Sequence, residues 1–265
     1  MTKPARFALW VLAAAPLGAQ WVNYPTPGIP RLPDSKPNLS APTPRTTDGK
    51  PDLSGLWEPT GQSSTAYLGN TVRDPKFGDV STGMKGGLPF QPWAAELLKA
   101  RRAENSKDDP DSRCLPLGPI KMHLHPFPRR LIQVPGMLVI LFERDTTYRQ
   151  IFTDGRPLPK DPQPTWMGYS IGHWDKDTLV VETIGQNGRT WLDMQGHPGT
   201  ESLRVTERFS RPRIGHMDID VTIDDPKAYT KPWTVKLAWR LEPDTDLIES
   251  ICEENNRDPG HMVGK

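Results

Sequence analysis

Between residues 131 and 241, short apolar-alternating segments are cut by tight-turn signals in repeated order. LIQV, PG and MLVILFER are followed by YRQIF and TDG, and later by SIGHW, DKD and TLVVETI. A period of two with turn residues at each break reads as strand, turn, strand. Met217, Ile219, Val221 and Ile223 alternate with His216, Asp218, Asp220 and Thr222, so one face is buried and the other wet. Val235, Leu237, Trp239 and Leu241 repeat that pattern. Further strands are expected over residues 201–209, 216–224, 234–241 and 247–253, with a short helix as the alternative for the last. A first strand is expected over residues 52–57. The count of about eight to ten predicts a mainly β, antiparallel fold that curls into a barrel or strongly curved sheet.

The N-terminus has another logic. Lys3 and Arg6 precede an apolar run over residues 7–15 and then Pro16-Leu17-Gly18-Ala19, the three-part pattern of a secretory signal peptide cleaved near Ala19. The run is far shorter than the roughly 20 apolar residues of a membrane span, and no later segment is apolar enough to be one. A secreted or periplasmic location is therefore expected. Removing Lys3 and Arg6 takes the formal charge from +1 to −1. A near-neutral chain with scattered Lys and Arg has no electrostatic case for nucleic acid.

Residues 20–50 read as a Pro-rich linker or arm, and residues 51–265 as a single β-barrel-like domain. The arm contains a near-repeat, PDSKPNLS from Pro33 and TDGKPDLS from Thr47. Residues 61–89 are rich in Gly, Ser and Thr and predict a long loop. One amphipathic helix is expected over residues 92–105, with Trp93, Leu97 and Leu98 on its apolar side and Lys99, Arg101 and Arg102 outward. The acidic Asp108-Asp109-Pro110-Asp111 lacks the Gly and Glu of an EF-hand loop and reads as a solvated turn. Cys114 and Cys252, an even pair in an exported chain, favour one disulfide over two buried thiols.

Gly55-Leu56-Trp57, at the start of the strand series, resembles the lipocalin signature, whose Trp plugs one barrel end. On that resemblance the fold class becomes a lipocalin-like (calycin-like) barrel. Longer stretches, KDDPDSRCLPLGPIKMHLHPFPRRLIQVPG, TYRQIFTDGRPLP, PTWMGYSIGHWDKDTLVVET, TERF and DDPKAYTKPW, resemble a family of exported bacterial proteins without assigned activity. That family typically writes EGDTLVV where this chain has Asp175-Lys176-Asp177. The resemblance implies a signal peptide and a β-rich domain, and it brings no site residues.

Candidate chemistry comes from residues that break the pattern. Glu143, Glu182 and Glu207 fall among apolar neighbours, with Arg130, Arg149, Arg208 and Arg240 as possible partners. A carboxylate buried there is either held in an ion-pair network or is a general acid or base of raised pKa. His123 and His125 face the same side if they lie on a strand. His197 follows Trp191 and Asp193 in a loop. No metal-ligand spacing such as HExxH is present, so neither a metal nor another cofactor is expected. His173 and His216 read as structural, and His261 lies in the C-terminal tail. Trp166, Tyr169, Trp191 and Tyr148 fall in or beside loops, where aromatics line barrel mouths; Trp57, Trp174 and Trp239 read as core.

Three functions remain open. The first is binding of a small, partly apolar molecule in the barrel through Trp166, Tyr169, Trp191 and Tyr148. The second is a lyase, hydratase or isomerase in which His125 or His197 moves a proton. There Asp193 orients the imidazole, Arg149 holds an anionic substrate, and Glu207 is a further acid-base candidate. The third is a surface-interaction protein that docks through its arm.

Overall fold

The computed structural model describes residues 25–60 and 75–254. The expected signal peptide and His261 lie outside them. Nine strands form one closed barrel in chain order: β1 (Gly55–Pro59), β2 (Arg129–Val134), β3 (Met137–Phe142), β4 (Tyr148–Phe152), β5 (Tyr169–Asp175), β6 (Thr178–Ile184), β7 (Arg204–Arg213), β8 (His216–Asp224) and β9 (Trp233–Leu241). β1 pairs with both β2 and β9, which closes the ring. The mainly β barrel is as expected.

Direction is the first difference. Eight joints are antiparallel, but β4 and β5 pair in parallel through only Ile151↔Ser170 and Phe152↔Ile171. A ring with an odd number of strands cannot alternate direction all the way round, so one neighbour must run parallel. A parallel step also needs a longer connection, which the Pro-rich residues 153–168 supply.

Local chemistry sets the turns. β2 and β3 meet at Val134↔Met137 around Pro135-Gly136, with Gly136 at φ +78°. Proline presets the first central position of such a turn, and glycine alone enters the second without steric cost. β5 and β6 meet at Asp175↔Thr178, where Lys176 takes φ +55°. That is an uncomfortable place for a residue with a Cβ.

The barrel interior is filled. Trp57, Phe209, Ile219, Val221 and Trp239 are wholly buried. Trp57 is capped by the Arg211 guanidinium 4.7 Å from its ring, and its indole N–H donates to the Leu53 carbonyl at 3.1 Å. Trp174 is only partly buried.

Three α-helices occur among the described residues: α1 (Pro75–Gly78), α2 (Pro92–Ala103) and α3 (Gly118–Leu124). α2 is the expected amphipathic helix, but its buried residues are Ala94 and Leu98, and Trp93 is exposed. α3 is additional. All seven of its residues are buried, so it has no wet face and no amphipathic period to read. It carries His123, with His125 just past its end, so the pair does not share a strand face.

The arm packs on the barrel. Its near-repeat makes the same hairpin twice, bridged at Arg31↔Pro37 and Arg45↔Pro51, with Ser35 and Gly49 both at positive φ. Arg31 pairs with Asp244 at 2.5 Å and Arg45 with Asp177 at 2.7 Å. Leu53, at the end of the second copy, is wholly buried.

Two further expectations need correction. Residues 247–253 form no strand; their backbone makes a single β-bridge, Arg144↔Ser250, and Ile248 and Ile251 are exposed. The 108–111 turn is not solvated throughout, because Asp109 is buried against Lys121 Nζ at 2.7 Å. Cys114 and Cys252 are disulfide-bonded, as expected.

Candidate functional site

The connection from β6 to β7 folds into a small hairpin closed by a Trp191↔Pro198 bridge and a Leu192 N–H bond to the His197 carbonyl at 2.9 Å. Asp193 stands at its turn. Its Oδ1 accepts the backbone N–H groups of Gln195 at 3.0 Å, Gly196 at 3.1 Å and His197 at 3.2 Å. An aspartate side chain bonding the next amides is a standard way to fix such a turn, and Gly196 supplies φ +92°. Asp193 Oδ2 accepts the Val80 N–H at 2.7 Å and lies 2.5 Å from His197 Nδ1. The carboxylate is fully occupied.

α2 holds the hairpin from one side. Arg101, expected outward, lies over the Trp191 ring at 4.4 Å and donates to the Gly196 carbonyl at 2.6 Å. Phe90 stacks on the His197 ring at 5.7 Å with the planes 10° apart. Tyr229 packs against Phe90 and donates to the Pro198 carbonyl at 2.9 Å.

That leaves one edge of His197. A ring whose Nδ1–H is donated to a carboxylate carries its lone pair on Nε2. Nε2 has no hydrogen-bond partner among the described residues, and Asp79 Oδ1 lies 3.9 Å away. Asp79, just after α1, accepts from Ser81 N at 2.9 Å, Ser81 Oγ at 2.5 Å and Arg102 at 3.1 Å. Burial pushes its carboxyl up, but the Ser81 hydrogen bonds and the Arg102 charge, joined by His197 whenever its ring is protonated, outweigh that and hold it low. Sequence reasoning places His197 with Asp193, four residues apart in one loop. Asp79 comes from far upstream with no spacing signal and is missed.

Asp79, Asp193 and His197 are also the group whose donor atoms all approach within 4.8 Å among the described residues. With Asp193 occupied by N–H donors, only Nε2 and Asp79 remain as ligands. Zinc sites use three or four protein donors.

A second carboxylate-histidine pair lies inside the barrel. Glu207 of β7 meets His123 Nε2 and a bidentate Arg149 from β4, all three buried. Arg149 also donates to Thr183 at 2.7 Å and Ser170 at 3.2 Å. Burial opposes ionisation of Glu207, yet the Arg149 charge and hydrogen bonds, with His123, hold its carboxyl well below the usual range. Burial lowers His123. Among the described residues His123 Nδ1 has no hydrogen-bond partner, and it has no solvent contact. This network is sealed. Above it Arg129, lowered to about 9 by burial, donates to the His123, His125 and Phe127 carbonyls and lies over Trp239 at 4.7 Å.

The other candidates are dispersed. His125 is buried beside Phe127 and held well below its ordinary pKa by burial, with Arg144, Arg129 and Lys121 adding to it. Glu182 sits on the outer face, paired with Arg204 at 3.0 Å, and the half-buried Glu143 accepts the Ile248 N–H at 3.4 Å. Neither is inside the barrel: Glu182 shares the outer row of β6 with Val180 and Ile184, and Glu143 follows the last residue of β3. Trp166 lies under Arg189, and Tyr169 stacks on Phe152. Tyr148 is 61% exposed on the outer surface of β4. Of the four aromatics only Trp191 adjoins His197, and Arg149 is committed to Glu207. Comparison with protein-family models, with curated proteins and with solved structures gives no match.

Proposed function

We propose that this chain is an exported enzyme in which His197 moves a proton, with chemistry of the lyase, hydratase or isomerase class. One observation carries the reading: Asp193 fixes the His197 tautomer at 2.5 Å while the opposite ring nitrogen keeps a free lone pair facing Asp79. A carboxylate that orients imidazole in this way is the arrangement general bases require. The signal-like N-terminus and the disulfide support export. A ligand held inside the barrel has less support, since aromatic side chains and the buried ion network fill that space. The arm beyond residue 24 is packed and ion-paired, which weighs against a free docking tether.

The test is deuterium exchange and water addition on a panel of small carbonyl compounds and unsaturated acids in D₂O. Wild-type protein and a His216→Gln control are expected to turn over the same members of the panel, with His197→Gln losing about 10²-fold or more. Equal rates for wild type and His197→Gln would sink the reading.

A further inference from the structure

His197 Nε2 and Asp79 Oδ1 are both acceptors, and at 3.9 Å they are too far apart to bond each other. Two acceptors at that separation are bridged by one atom that offers two protons. A donor about 2.8 Å from each subtends an angle of roughly 90° between them, near the angle between the bonds of water. On Asp79 both Ser81 donors go to Oδ1 and Arg102 goes to Oδ2, so a bridging water adds a third donor at Oδ1, the number that Asp193 Oδ1 already accepts. The imidazole is enclosed, with Phe90 over one face, Asp193 on the Nδ1 edge and the His197 side chain 2% exposed, so the gap meets solvent only through Asp79, which is 33% exposed.

We propose that this gap is a water site and that its water is the co-substrate, which makes the reaction a hydration or hydrolysis at a carbonyl or carbonyl-conjugated carbon. The proposal rests on the reading of His197 as a base. Nε2 takes one proton of the water, and the oxygen's electron pair forms the new bond to the electrophilic carbon. The displaced π electrons move to the carbonyl oxygen or the α-carbon. The imidazolium then returns its proton to that atom or to the leaving group, so atoms and electrons balance with water and substrate alone. Asp79 stays ionised throughout. It accepts the water's second proton as a hydrogen bond and faces the imidazolium while that charge lasts. An isomerase would instead bring substrate carbon to Nε2, and a divalent cation would claim the same two donors.

The experiment combines ¹⁵N NMR of the His197 ring with a crystal structure of the full chain purified without added metal. The expected result is an Nδ1–H tautomer and one water within about 3.2 Å of both Nε2 and Asp79. A metal in the gap, or direct contact that excludes water, overturns the water proposal and leaves the base reading standing. An Nε2–H tautomer overturns the base reading itself. For the nucleophilic role the probe is p-nitrophenyl acetate, with Asp79→Asn and His197→Gln each expected to lose about tenfold or more of the hydrolysis rate. Rates equal across the three proteins, or equal to buffer, overturn that role.

Discussion

Two histidines here each face a carboxylate, and their surroundings give them different work. His123 sits between Glu207, Arg149 and the Trp239 ring with no route to water, so its network is a matter of stability. Removing one member of a buried ionic group leaves the others uncompensated, at a cost of about 3–5 kcal/mol. Glu207→Ala is expected to lose that much in urea unfolding at pH 7, whereas Glu182→Ala, which breaks an exposed pair, loses under about 1 kcal/mol. Similar losses for both would refute the distinction. His125 adds a pH effect of definite sign. Its folded pKa lies well below the ordinary value, so the unfolded chain binds the proton first. Its contribution is complete above about pH 6.5 and is lost as pH falls below that. The drop in stability from pH 7 to pH 5 should therefore be smaller in His125→Asn, which keeps an acceptor near the Phe127 N–H, than in wild type. At this scale the sequence revealed His197 with Asp193 because a four-residue loop separation survives folding unchanged. It hid Asp79 and the pairing of His123 with Glu207, because those partners arrive only when distant segments are packed together.

Period-two alternation tells which face of a strand is wet and says nothing about its direction, so the barrel strands were legible while the parallel β4–β5 joint was not. The same limit explains α3, where burial on every side erases the helical period. It also explains residues 247–253, whose apolar residues lie on the surface without a ladder to join. Turn residues carry finer information. Lys176 holds φ +55° in the β5–β6 turn, a conformation that glycine enters without a Cβ penalty. A side chain in that region costs about 1 kcal/mol. Asp175 and Asp177 beside it pair with Arg208 and Arg45 through side chains that a change at Lys176 leaves in place. Lys176→Gly is expected to raise stability by up to about 1 kcal/mol, net of glycine's greater freedom when unfolded. A loss of more than that would mean the lysine side chain makes a contact that outweighs the backbone strain.

Closure of the barrel joins β1 to β9, but the chain continues past β9 into a segment with little regular structure of its own. That segment is held against β1–β3 by discrete ties. The Glu242 N–H donates to the Leu56 carbonyl at 2.8 Å, Asp246 pairs with Arg130, and Ile248 N–H reaches Glu143. Cys252 then locks it to Cys114, which leads directly into the buried α3. Arg144 lies 3.3 Å from the Cys252 sulfur and pairs with Asp111, so the covalent and ionic ties converge. The bridge spans a sequence separation of 138 residues, across all nine strands but the first. In the chain-entropy account a loop of that length removes about 5 kcal/mol of unfolded-state freedom. Exposed ion pairs add under about 1 kcal/mol each, so no other single tie on this segment matches it. The Cys114→Ser/Cys252→Ser double variant is expected to lose about 3–5 kcal/mol in urea, and wild type in excess dithiol to lose the same amount. Matching losses assign the effect to the covalent bond. A variant as stable as wild type would show instead that the ionic ties and the barrel hold the C-terminal segment without it, and that the unfolded chain is already compact enough for the cross-link to remove little.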